Sequence, residues 1–181
     1  MFFKTTAECA EIARMLGFDA DWQRNTINKS TSTPVHAVRA NFAQRKGATY
    51  AFARRIASWV NLGFTRNSLL WITEHSVWQS SENLHLYYKL RQSYNDYLAL
   101  GEAPGHQFMY FEEVDLATFI DLVIQFRWGG FLFGSAKIYM TISHDEWILL
   151  ESDETLDKVI ADLEKFDVFC SHFPPGTNRF N

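Results

Sequence analysis

The stretch GGFLFGSAKIYMTISHDEWILL, residues 129–150, decides the fold. It holds three short runs rich in β-branched, aromatic and aliphatic residues, at 131–133, 138–142 and 147–150. Between them stand Gly134-Ser135-Ala136-Lys137 and Ser143-His144-Asp145-Glu146, four-residue breaks of turn-forming composition. Strand-favouring runs with breaks this short predict an antiparallel meander.

Upstream, residues 113–126 are apolar almost all round, which predicts a helix buried on most sides. A short strand over 107–111 precedes it, after a turn-forming loop at 101–105 that contains Pro104. Leu84, Tyr87, Tyr88 and Leu90 fall on a helix that Ser80 or Ser81 would cap, and Leu70, Trp71, Ile72 and Val77 predict a strand over about 69–78. Downstream, Ser152 reads as a helix cap with Asp153 and Glu154 on the first turn. Leu156, Val159, Ile160, Leu163 and Phe166 form the stripe of that last helix, and Pro174-Pro175-Gly176 predicts a loose tail.

The first third reads as helical. Thr5 and Glu8 make a capping box ahead of Cys9, Ile12, Ala13 and Leu16 at helical spacing. Residues 19–32 are polar and read as a loop. Thr33-Pro34 then reads as N-cap and first position of a second helix with Val35, Val38 and Phe42 on one face, ended by Gly47. A third helix over about 49–61 buries Ala53, Ile56, Ala57 and Val60 and leaves Arg54 and Arg55 off the stripe. The expected class is therefore α+β: a helical N-terminal third packed on an antiparallel sheet flanked by helices.

At 181 residues the chain is long enough for one buried core, so residues 1–181 are expected to form a single domain. The alternative is a division near residue 66, because the charge divides there. Residues 1–66 carry ten Lys/Arg against four Asp/Glu, and residues 67–181 carry seven against seventeen. Ends of net +6 and −10 either pack together or face a charged partner. Two cysteines, Cys9 and Cys170, make no disulfide framework and no zinc pattern, which implies a reducing cytoplasm. No apolar run is long enough to span a bilayer.

No cofactor motif and no metal-ligand spacing stands in the chain, and none of either is expected. The reading is a non-catalytic protein-binding module, such as an inhibitor, immunity-type or regulatory protein with a basic partner. Its contact residues would be Asp153, Glu154, Asp157, Asp162 and Glu164, within nine acids spread over residues 145–167. Aromatic residues, 16% of the chain, would serve its core or its interface. One alternative is nucleic-acid binding by basic N-terminal helices through Arg39, Arg45, Lys46, Arg54 and Arg55. A second is a hydrolase around His144 and Asp145, against which stands the rule that adjacent turn residues point in different directions.

Overall fold

The structure is a computed structural model; it describes residues 1–29, 36–42, 48–61, 67–75, 84–134, 138–166 and 168–173. Among the described residues, five helices and ten strands run in the order β1 (Phe2–Lys4), α1 (Thr6–Met15), β2 (Phe18–Asp21), β3 (Thr26–Lys29), β4 (His36–Asn41), α2 (Ala48–Val60), β5 (Ser68–Glu74), α3 (Leu84–Ser93), β6 (Gly105–Phe108), α4 (Glu113–Gln125), β7 (Gly129–Phe133), β8 (Ile138–Ser143), β9 (Trp147–Ser152), α5 (Asp157–Glu164) and β10 (Cys170–Phe173). Eight strands make one antiparallel sheet in the order β1-β6-β5-β7-β8-β9-β4-β10, and β2 and β3 form a separate hairpin. The fold is α+β, and the meander β7-β8-β9 is present as the sequence predicts.

Strand alternation divides the core into two. Val38, Leu70, Leu132, Met140, Ile142 and Leu150 face α2 and α4, where Ile56, Trp59, Phe119 and Ile120 are fully or almost fully buried. Leu69, Trp71, Phe131, Phe133 and Tyr139 face the other way, against Cys9 and Ala13 of α1 and against Phe18, Ala20 and Ile27 of the hairpin. The central strands are thus covered on both sides.

The N-terminal third is not helical. Among the described residues there, α1 and α2 are the helices and β1 to β4 the strands. The capping box at Thr5 and Glu8 is formed, with Glu8 N donating to Thr5 Oγ1 at 3.3 Å and Thr5 N donating to Glu8 Oε2 at 2.8 Å. The expected second helix is instead β4. Inserted between β9 and β10, that strand buries Val38 and Ala40 on one face and leaves Arg39 and Asn41 exposed on the other, where Ala37 is buried. Thr33, Pro34, Val35 and Gly47 lie outside the described residues. The polar stretch after Phe18 folds as the β2–β3 hairpin, because Asp21 Oδ1 accepts Gln23 N and Arg24 N at 3.1 and 3.2 Å and Asn25 takes a left-handed φ of 51°.

Two further boundaries differ. Ser152 is the last residue of β9 rather than a helix cap; its Oγ accepts Glu154 N at 3.0 Å, and α5 begins at Asp157. Cys170–Phe173 forms β10 against β4 ahead of the tail.

Beside α3 a polar network is fully enclosed. Arg91 donates through Nε to Asp96 Oδ2 at 2.5 Å, through one terminal nitrogen to Ala103 O at 3.0 Å, and through the other to Tyr87 Oη at 3.2 Å. Tyr87 Oη lies 2.6 Å from His106 Nε2, and His106 Nδ1 lies 3.1 Å from Pro104 O. A carbonyl only accepts, so Nδ1 carries the proton and Nε2 accepts from the tyrosine.

Candidate functional site

Residues 92–126 contain Asp96, Glu102, Glu112, Glu113, Asp115 and Asp121 and neither Lys nor Arg. The fold spends only part of this stretch on the core. α4 buries Leu116, Phe119, Ile120 and Val123, while its first turn and the turn before it point outward: Tyr110, Phe111 and Val114 are 45%, 67% and 55% exposed. Tyr97 and Leu98, in the loop after α3, are 76% and 49% exposed. That loop is tied to α4 by a hydrogen bond from Tyr94 Oη to Asp115 Oδ1. On the other side the amino group of Met1 meets Glu112 Oε1 at 2.5 Å, which sets the half-exposed Phe2 of β1 beside the same turn. Tyr110 and Phe111 pack edge to face at 5.2 Å. Glu102 lies in the loop after α3, accepting Ala99 N at 3.0 Å, and Glu113 and Asp115 stand in the first turn of α4. Exposed apolar surface rimmed by charge of one sign marks an interaction face.

The acids read from the sequence lie elsewhere. Asp157 and Glu164 are exposed on α5, and Asp153 and Glu154 precede that helix. Asp162 faces inward rather than outward: it is 5% exposed, accepts Trp59 Nε1 at 3.2 Å and Lys165 Nζ at 2.8 Å, and lies 3.6 Å from Arg55 Nε. The Lys165 contact first, then Trp59 and Arg55, hold its carboxyl below the ordinary aspartate range. Its job is to fasten α5 to α2.

The basic candidates do not assemble into one helical surface. Arg39 belongs to β4, exposed on the face turned away from α2, with its guanidinium 4.6 Å from the Trp147 ring. Arg54 and Arg55 are exposed on α2, on the opposite side of the sheet. Arg45 and Lys46 lie outside the described residues.

His144 and Asp145 are in the turn between β8 and β9, where Ser143 Oγ accepts Asp145 N at 3.1 Å. Here the structure adds partners that spacing alone does not reveal. His144 Nδ1 lies 2.8 Å from Glu74 Oε2, an oxygen that also accepts Asn25 Nδ2 at 3.0 Å, and Thr73 Oγ1 donates to Asn25 Oδ1 at 2.9 Å. His144 Nε2 lies 3.5 Å from Asp145 Oδ1, so the two neighbours do converge. A carboxylate can only accept, so Nδ1 donates to Glu74 and the Asn25 amino group is turned toward it, while Nε2 faces the second carboxylate, Asp145. Glu74 reaches this place through a register shift between Ile72 and Glu74. A Cβ on Gly129 would fall 2.0 Å from Glu74 Oε2, so only glycine leaves the carboxylate its room. Asn25, Arg127 and Glu146 take left-handed φ of 51°, 52° and 66°. Each stands where a turn or helix end calls for it: Asn25 in the β2–β3 turn, Arg127 just past Phe126 at the end of α4, where Trp128 N donates to Val123 O at 3.0 Å, and Glu146 in the β8–β9 turn. Arg127 Nε meets Glu146 Oε1 at 2.8 Å.

Among the described residues no group of three or more His, Cys, Asp and Glu is placed to hold a metal ion, and no helix is long and apolar enough to cross a membrane. Comparison with family models, curated proteins and solved structures matches nothing to this chain.

Proposed function

We propose that the protein is a binding module, of inhibitor, immunity or regulatory type, for another protein with a basic surface. The contact face is the acidic, aromatic one built by residues 94–115 with Phe2. One observation carries this reading: Tyr97, Leu98, Tyr110, Phe111 and Val114 stand exposed within a segment that has six acids and no base, although Asp96 is buried against Arg91 and Glu112 meets the Met1 amino group. The aromatics supply desolvated anchors, and the acids raise the encounter rate with a basic partner. The acids of α5 are secondary in this reading, since Asp162 is occupied within the fold. We keep the cytoplasm as the compartment, on the two free thiols Cys9 and Cys170.

The test is a comparative capture from the native host. Wild-type protein, Phe111→Ser/Val114→Ser and Asp157→Lys/Glu164→Lys are immobilised side by side. A basic protein held by the wild type and by the α5 variant, and lost from the Phe111/Val114 variant, is the expected result. Retention by the Phe111/Val114 variant with loss from the α5 variant would move the interface to α5 and reject the face proposed here.

A further inference from the structure

The face built by residues 94–115 holds two kinds of ligand for a cation and no cation of its own. Tyr97, Tyr110 and Phe111 offer exposed rings, and Asp115 offers a carboxylate of which one oxygen accepts Tyr94 Oη. The other oxygen has no partner among the described residues. Burial first, then the hydrogen bond to Asp115 and the charges of Asp115 and Glu112, push the Tyr94 phenol well above the ordinary tyrosine range, so it stays a donor and holds the carboxylate in place. Asp115 stands in the first turn of α4, next to the exposed Val114 and four residues after Phe111, so carboxylate and apolar surface share one short stretch. Elsewhere in the molecule the same pair of ligands is filled by arginine. Arg91 lies 4.7 Å from the centre of the Phe3 ring while its Nε donates to Asp96 Oδ2 at 2.5 Å, and Arg39 lies 4.6 Å from the centre of the Trp147 ring. A guanidinium can do both because it is flat, weakly hydrated and rich in donors, whereas an ammonium is compact and holds its water.

We infer, on the binding-module reading above, that the partner anchors on this face through an arginine that pairs with Asp115 and lies over one of the exposed rings. Asp115 is then the specificity-determining residue of the face. Exposed acids at a rim attract any cation and act chiefly on the rate of encounter. A carboxylate beside aromatic rings selects the cation that can stack as well as pair.

The probes are hexa-arginine and hexa-lysine peptides, equal in charge. Each is titrated into isotope-labelled wild-type protein, Asp115→Asn and Phe111→Ser/Val114→Ser, with amide and aromatic NMR signals reporting where it lands. Hexa-arginine should bind the wild type about three-fold or more tighter than hexa-lysine, the size of an exposed cation–π contact, and should shift Tyr97, Tyr110, Phe111 and Asp115. Asp115→Asn, which keeps an oxygen for Tyr94, should weaken hexa-arginine about two-fold or more, and the Phe111/Val114 variant should narrow the gap between the peptides. Equal affinity of the two peptides with shifts on this face, or unchanged hexa-arginine affinity in Asp115→Asn, would overturn the arginine anchor and leave the face standing. Shifts confined to Asp157 and Glu164 of α5, or binding of neither peptide, would overturn anchor and face together.

Discussion

His106 sits wholly buried in β6, with its Nδ1 proton given to Pro104 O and its Nε2 accepting from Tyr87. Burial, helped by the nearby Arg91 charge, lowers its pKa to about 3. The unfolded chain binds that proton near pH 6.5, so between about 6.5 and 3 the unfolded state holds more protons than the folded one. The contribution is complete above pH 6.5 and is lost as the pH falls through the window, at up to about 1.4 kcal/mol per pH unit. Chemical denaturation at pH 7 and pH 5 should therefore show a loss of stability that is clearly smaller in His106→Gln. An identical pH dependence in the two proteins would mean that another group carries it. The partner Arg91–Asp96 is a buried ion pair in which each of the three guanidinium nitrogens finds an oxygen, and removing either member would leave an uncompensated charge.

At the scale of elements, α5 shows how a charged face can mislead. Asp162 lies between Ile160 and Leu163 of the apolar stripe, close enough to face inward, and Trp59 offers an N–H that needs an acceptor. Asp162→Ala should cost roughly 1–3 kcal/mol, since it strands that donor, whereas Asp157→Lys/Glu164→Lys should leave the melting temperature almost unmoved. A neutral Asp162→Ala in thermal melts would put the docking of α5 on its leucines and valine alone. The meander and α4 are legible in the sequence because their apolar runs are bounded by turn residues, and α2 and α3 by their helical spacing. β4 is not, although Val38, Ala40 and Phe42 alternate with Arg39 and Asn41, because Val38 and Phe42 also fit helical spacing. The count of acids favours α5, and the exposed Asp157 and Glu164 keep that surface a candidate, whereas the face proposed here rests on exposure, which depends on which side of α4 the sheet covers. The absence of any base from residues 92–126 is the sequence signal that points to that face. The Glu74–His144 contact has no local signature at all, because it joins residues 70 positions apart.

For the whole molecule, the two oppositely charged parts of the chain are interleaved rather than docked. β1 pairs β6, β4 lies between β9 and β10, and α2 packs on α4, so residues from both sides of position 66 share one sheet and one core. A fragment of residues 67–181 would lack β4 and α2, exposing Ile148, Leu150, Phe119 and Ile120. It should give no cooperative melt, and a fragment melting as high as the full chain would show two independent domains. The insertion of β4 also bears on how the molecule is made. A ribosome releases β4 early, yet both strands that flank it emerge only after most of the chain has followed. Until then an apolar strand waits with both edges open, and contacts so distant in sequence close slowly. Refolding should accordingly be slow for a chain of this size, and the waiting strand is where a chaperone would be needed.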